Sequence, residues 1–398
     1  MSASAIEGGL ERGFTAGEFA ERTARAQARL TDAGMAGMLL MSEADIRYFT
    51  GFHTLFWQSP TRPWFVFVPQ SGKPVAIIPE IGAALMRQSW VEDIRTWSAP
   101  NPADDGISLL IDLLSPFAAP SEMGEGQVIG LLKGHETNLR MPLGDFERLC
   151  AALPNLTFGD ATDIVRALRV VKTPAEQEKL RHICAIGSDT FSALPEFVKE
   201  GMPLEDVFRA FRIKALSLGA DDVPYLVGAA GQGGYLDVIS PPSRAPLQTG
   251  DILMLDTGAT WDGYFCDFDR NFAIGQADDD AKRAYDVLYA ATEAGLAAAR
   301  VGNDCAGLFH AMAEVTKTLD PSGGDIGRFG HGLGMQLTEQ PSHAGFDHTP
   351  LEAGMVLTLE PSLSYGDNHM MVHEENILIT DKGAELLTKR AAPELPII

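Results

Sequence analysis

Two apolar runs meet at an Asp-Gly dipeptide, and each run carries acids where a buried strand should carry none. The first is Ile252-Leu253-Met254-Leu255-Asp256, continuing through Thr257-Gly258-Ala259-Thr260-Trp261. The second, after Asp262-Gly263, is Tyr264-Phe265-Cys266-Asp267-Phe268-Asp269. Asp-Gly between two such runs is a strong hairpin signal, because the tight primed turns that suit twisted strands need positive φ. A two-residue turn pairs Trp261 with Tyr264. Carried back along the strands, that register sets Asp256 opposite Asp269 and diagonal to Asp267, with all three on one face. Like charges facing each other oppose pairing, so a cation between them is the economical explanation. The alternative is a solvated acidic face, and the flanking Leu, Met and Phe side chains argue against it.

Three more polar residues sit in comparable settings. Gly330-His331-Gly332-Leu333-Gly334 places a histidine where backbone can approach closely. Met355-Val356-Leu357-Thr358-Leu359-Glu360-Pro361 is an apolar strand ending in an acid and stopped by proline. The segment from Met370 to Thr380 buries Glu374 at the start of another apolar run. Together Asp256, Asp267, His331, Glu360 and Glu374 read as one dinuclear metal site. A buried carboxylate is costly unless a cation or donors compensate it. Four carboxylates and one imidazole suit two divalent ions, manganese first, with iron, cobalt or zinc as alternatives.

The rest of the composition narrows the partners. A chain of 398 residues that is 45% hydrophobic can build large cores in two or three domains. A net charge of −23 should repel nucleic acid and anionic membranes, which excludes both as expected partners. No run approaches the length of a membrane-spanning helix, and no leader pattern is apparent. The four cysteines, Cys150, Cys184, Cys266 and Cys305, show no paired spacing. That points to a reducing, cytoplasmic setting.

Along the chain, Thr15-Ala16-Gly17-Glu18 opens a capped helix, with strands expected at 37–41, 64–68 and 74–78. Alternating helix and strand patterns then continue to about Asp160, as in an α/β domain. Residues 163–171 look like a connector. Thr173-Pro174-Ala175-Glu176 starts a new helix, with threonine as cap and proline in the first turn. These signals divide the chain into a smaller N-terminal α/β domain over 1–165 and an α+β catalytic domain over 170–398. The glycine-rich stretch Gly228–Gly234 reads as a flexible loop near the pocket.

The ordered set of motifs is similar to the pita-bread metallohydrolases, the family of prolidase, aminopeptidase P, methionine aminopeptidase and creatinase. The matching residues are Asp256-x-Gly258, Gly263-Tyr264, Asp267-x-x-Arg270, Gly330-His331-Gly332-x-Gly334, Glu360-Pro361 and Glu374-x-Asn376. The resemblance covers roughly residues 165 to 385. It implies a pita-bread catalytic domain behind a creatinase-like N-terminal domain, and it carries the ligand role onto the five residues above. It also implies a metal-bound hydroxide that attacks the substrate.

Departures from the pattern are as informative. Histidines common in the peptidase branch are replaced by Gly327, Thr338 and, well before the first hairpin strand begins, a residue near Ile239. Val372 stands where an arginine is often found, and Asp269 where a threonine or serine is usual. Asp269, as general base, and Thr338, as hydrogen-bond donor, are the candidates to replace the lost shell. His343, His348 and His373 read as surface or supporting residues. In the aromatic run Phe52–Trp64, Arg62 is the candidate to bind a substrate carboxylate, with Trp57 walling the pocket, as the creatinase and prolidase branches do across a dimer.

The expected activity is that of a homodimeric, dinuclear metal-dependent hydrolase resembling Xaa-Pro dipeptidase or aminopeptidase P. It would cleave a C–N bond of a dipeptide or other small, carboxylate-bearing amide. The alternatives are a creatinase-like hydrolase or a dimethylsulfoniopropionate-type lyase. The lyase branch has an acid where this chain has Gly258.

Overall fold

A computed structural model describes residues 10–59, 62–119, 126–322 and 327–398. The chain divides into two compact units, Met1–Arg169 and Val170–Ile398. The first holds six strands, β1 (Met35–Leu40), β2 (Phe65–Pro69), β3 (Val75–Pro79), β4 (Asp93–Trp97), β5 (Val128–Leu131) and β6 (Thr157–Asp160). They form one mixed sheet in the order β4-β3-β2-β1-β5-β6. β1 reads as a continuous apolar run because it is buried along its whole length at the centre of this sheet. Its helix Ala16–Asp32 begins where Thr15 accepts a hydrogen bond from the Glu18 amide at 3.2 Å. Residues 163–171 are not a connector: Thr162–Arg169 is a helix that buries Val165 and Leu168. Its charged residues mask an apolar stripe too short to stand out from the sequence pattern.

In the second unit the strands are β7 (Asp222–Gln232), β8 (Asp251–Trp261), β9 (Tyr264–Phe265) and β10 (Phe268–Ala273), which make a four-stranded sheet. β11 (His331–Gly332), β12 (Glu339–Ser342), β13 (Val356–Leu359), β16 (Glu375–Thr380) and β17 (Gly383–Leu386) make a five-stranded one. β14 (Ser362–Tyr365) and β15 (His369–Val372) form a separate pair. Every pairing in these sheets is antiparallel.

Helix Pro174–Ser192 opens with a full capping box, in which Thr173 and Glu176 serve each other's backbone. The same Glu176 accepts from the Tyr264 hydroxyl at 3.0 Å. One turn on, Lys179 donates to Asp262 at 2.6 Å. The helix start therefore holds the Asp262-Gly263 turn in place. Both turn residues have positive φ, +47° and +77°, as a primed hairpin turn requires.

Gly228–Gln232 is not a loop but the end of β7, paired to β8. A Cβ on Gly228 would lie 2.1 Å from the Met254 carbonyl oxygen, and its φ is +151°. Glycine here permits close strand approach, and the density of glycines disguised the strand.

Candidate metal centre

The hairpin register aligns Asp256 with Asp269 across β8 and β10. Between β9 and β10 the Cys266 amide still donates to the Ala259 carbonyl at 3.0 Å, but at Asp267 the Asn376 side chain of β16 takes up the backbone groups instead. The Asp267 amide donates to Asn376 Oδ1 at 3.0 Å, and Asn376 Nδ2 donates to the Asp267 carbonyl. This clamp sets the Asp267 carboxylate against the second sheet. There His331 Nε2 lies 3.4 Å from Asp267 Oδ2 and 3.9 Å from Glu360 Oε2. The other ring nitrogen, Nδ1, sits 2.9 Å from the Gly332 carbonyl oxygen, so it carries the proton and leaves Nε2 as the ligand atom. Glu360 follows β13 directly. Glu374 lies between β15 and β16, with its carbonyl bound at 2.7 Å by Arg270.

Ligand atoms of Asp267, His331 and Glu374 all lie within 4.8 Å of one another, and all three residues are buried. Asp256 and Glu360 join Asp267 and His331 on the wall of a cavity of about 290 Å³, also lined by Tyr225, Arg328, Leu337 and Thr338. Burial raises the affinity of every one of these carboxyl groups for a proton, and for Asp267, Glu360 and Glu374 the neighbouring acids add to it. Asp256 Oδ1 and Glu374 Oε1 are buried without a hydrogen-bond partner. Four acids crowded together with orphaned oxygens and a ligand-ready imidazole fit divalent cations and little else.

Other candidates fall in varied places. Thr338 lines the cavity. Asp269 is fully buried and is not among the lining residues. Asn271 Nδ2 holds its Oδ2 at 2.8 Å and also donates to the Val372 carbonyl at 2.6 Å. His343 and His373 are buried and held neutral, with proton affinity pushed down to about 3 mainly by burial. His348 is exposed beside Asp304. In the first unit, Trp57 is buried with its ring 5.5 Å from that of Trp64, under the Arg140 guanidinium. Arg62 lies over the Phe56 ring at 5.5 Å. Pro60 and Thr61 of the same run lie outside the described residues.

Two residues escaped the sequence reading. Tyr225, on β7, has its hydroxyl in hydrogen-bonding reach of Asp256, and burial with the nearby acids opposes its ionisation. Arg328 stands three residues before His331 and lines the cavity. Nothing in the local pattern of either residue marks it, because each reaches the site only through the pairing of distant strands.

A buried carboxylate–imidazole cluster at the wall of a small cavity, between antiparallel sheets, defines a metal-dependent hydrolase. Residues 178–381 match metallopeptidase family M24, and residues 22–171 match the creatinase/prolidase N-terminal domain. The chain belongs to that metallopeptidase family and has its two-domain creatinase/prolidase fold, with a C-terminal pita-bread domain. Among its relatives, a probable dipeptidase PepE of Mycobacterium bovis is 27% identical over 378 residues, 94% of this chain and 95% of that protein. The crystal structure of dipeptidase PepE from Mycobacterium ulcerans superposes with a TM-score of 0.82 at 26% identity, covering 97% of this chain and 99% of the other. A prolidase from Thermococcus sibiricus superposes with a TM-score of 0.83 at 22% identity, over 96% and 99% of the two chains.

Proposed function

We propose that this protein is a dinuclear dipeptidase-like hydrolase that cleaves the C–N bond of a small, carboxylate-bearing amide, with Xaa-Pro dipeptides as the first substrates to test. The observation that carries the reading is the convergence of Asp267, His331 and Glu374 within 4.8 Å, beside Asp256 and Glu360 on one small cavity. In this reading the five residues hold two divalent ions, manganese foremost. Such ions, when bound, lower the pKa of water and polarise a carbonyl.

The chain's own residues supply the rest. Glu360, whose side chain is about a third exposed where that of Asp267 is 6% exposed, is placed to take a proton from the cavity and return it to the leaving nitrogen. Thr338 offers a hydroxyl to the substrate. Asp269, opposite Asp256 in the β8–β10 ladder and held by Asn271, is read as a positioning residue for Asp256 in place of the general base its sequence position suggests. The cavity's modest volume favours a substrate of dipeptide size. Arg62 and Trp57 remain candidate contacts for a carboxylate-bearing substrate, with the homodimer as the assembly that would use them. A cytoplasmic location belongs to the same reading. The lyase alternative is not favoured: a Cβ on Gly258 would lie 2.3 Å from Leu337 Cδ1 and 3.0 Å from Tyr225 Cβ, so an acid there would require Leu337 to move.

The test is hydrolysis of a panel of Xaa-Pro dipeptides by manganese-reconstituted protein, with Asp267→Asn as control and metal content measured on both. Turnover of about 1–10³ s⁻¹ by the parent, lost together with bound metal in the variant, is the expected result. A parent that holds two ions per chain and leaves the whole panel intact would overturn the dipeptidase reading.

A further inference from the structure

Among the described residues, Arg328 is the single cation that lines the metal-site cavity. It is half-buried, and the other charged groups on that wall are the acids Asp256, Asp267 and Glu360. Its guanidinium acts on Asp267 and Glu360 through space, favouring their charged forms. Yet it makes no ion pair with either. Its one hydrogen bond within the described residues is a long one, 3.5 Å from Nη1 to the Ser342 hydroxyl. A guanidinium has five N–H donors in a rigid fork. Apart from that bond the guanidinium has no hydrogen-bond or ion-pair partner among the described residues, and the residue lines the cavity.

The charge balance of the site gives that open fork a purpose. Two divalent ions, held by Asp256, Asp267, His331, Glu360 and Glu374, would neutralise the four carboxylates and remove the field that otherwise compensates Arg328. A partly buried guanidinium left without a counter-charge is unfavourable, and the group that enters the cavity can supply it. Around it stand the apolar side chains of Val238, Leu337 and Met370, with the Thr338 and Ser362 hydroxyls. This is a wall for a small, mostly apolar body with one anionic end. A planar carboxylate matches the fork bidentately.

We propose that Arg328 is the carboxylate anchor of the substrate site and selects amides whose acid group lies within reach of the scissile bond. The inference rests on the hydrolase reading for its substrate class. It differs from the Arg62 hypothesis in placing the anchor on the same wall as the metal ligands.

The experiment uses full-length, manganese-loaded protein and two pairs of probes: proline against prolinamide, and Gly-Pro against Gly-prolinamide. Binding is measured by calorimetry, hydrolysis by product release, and metal content and melting temperature are recorded for each protein. The parent should bind proline over prolinamide by roughly 10- to 100-fold, the range expected for a hydrogen-bonded ion pair. Arg328→Met should lose that preference while keeping two ions per chain, and Arg328→Lys should recover part of it. Should Met at this position impair folding, the lysine variant alone still tests the fork, since a point charge cannot reproduce bidentate binding. A parent that binds neither carboxylate, or an Arg328→Met protein that keeps the parent's preference with its metal in place, overturns the anchor. The two readings separate cleanly. Proline binding that depends on Arg328 without any dipeptide cleavage sinks the peptidase and leaves the anchor standing. Cleavage whose carboxylate preference survives in Arg328→Met does the reverse.

Discussion

At the level of single residues, the site depends on Asn376 as much as on the ligands it supports. This side chain accepts from the Asp267 amide, donates to the Asp267 carbonyl, and receives the Cys184 thiol at 3.4 Å. It stands where the hairpin ladder is interrupted, so it does for Asp267 what a neighbouring strand would otherwise do. Asn376→Ala should therefore lower metal affinity by about 10- to 100-fold, as loss of a group that orients a ligand typically does. It should also cost about 1–3 kcal/mol of stability, from the buried amide and carbonyl left unpaired. Metal titration of the folded variant checks the first, and denaturant unfolding of the metal-free protein checks the second. Unchanged affinity in a folded protein would mean that Asp267 is held by its strand alone. Four of the five proposed ligands were readable because each sets an acid within or at the end of an apolar run, and His331 because it stands among glycines. Asn376 was visible only as part of a motif, and Arg328 not at all. Their roles depend on which strand comes to lie beside which, and no local spacing encodes that.

Among the elements, the hairpin was the most legible part of the fold. The Asp-Gly turn and the alternating pattern together allow one register, and that register is the observed one from Ala273 back to Trp261. What the pattern did not reveal is how the turn is fixed. Lys179 and Asp262 form an ion pair at 2.6 Å, with side chains only 2% and 9% exposed. Removing one partner of such a pair strands the other charge, at a cost of about 3–5 kcal/mol, whereas removing both is far milder. Lys179→Met should thus destabilise more than the Lys179→Met, Asp262→Asn double variant. A double-mutant cycle from urea unfolding measures the difference. Equal losses in the single and double variants would show that the pair is an ordinary surface contact. The two elements that depart from the sequence expectation do so for different reasons. Glycine at 228 and 231 looked like loop chemistry but serves strand packing, and Thr162–Arg169 was too short for its helical period to stand out.

For the whole molecule, the crowded acids make stability depend on pH in a direction that metal should reverse. Asp256 and Glu360 ordinarily titrate near 3.8 and 4.5, and burial pushes both up to about 7 in the fold. Between those limits the metal-free folded chain holds protons that the unfolded chain has released. Its stability must then fall as pH rises from about 4 through about 7. His343 and His373 act with the opposite sign. Their proton affinity is pushed down from 6.5 to about 3, so they cost stability as pH falls through that window. The histidines are common to both forms of the protein, and subtracting one melting curve from the other cancels them. Divalent ions take the place of the protons on the carboxylates, so the gain in melting temperature on loading manganese should be small near pH 5 and should widen steadily to about pH 8. At a thousandfold excess of free metal over its dissociation constant the stabilisation is about 4 kcal/mol. Scanning calorimetry of chelator-treated and manganese-loaded protein across that range measures the gap directly. A gap that stays constant with pH would mean that the carboxylates are already ionised without metal. Compensation would then have to come from within the chain, and the argument that their crowding requires a cation would fail.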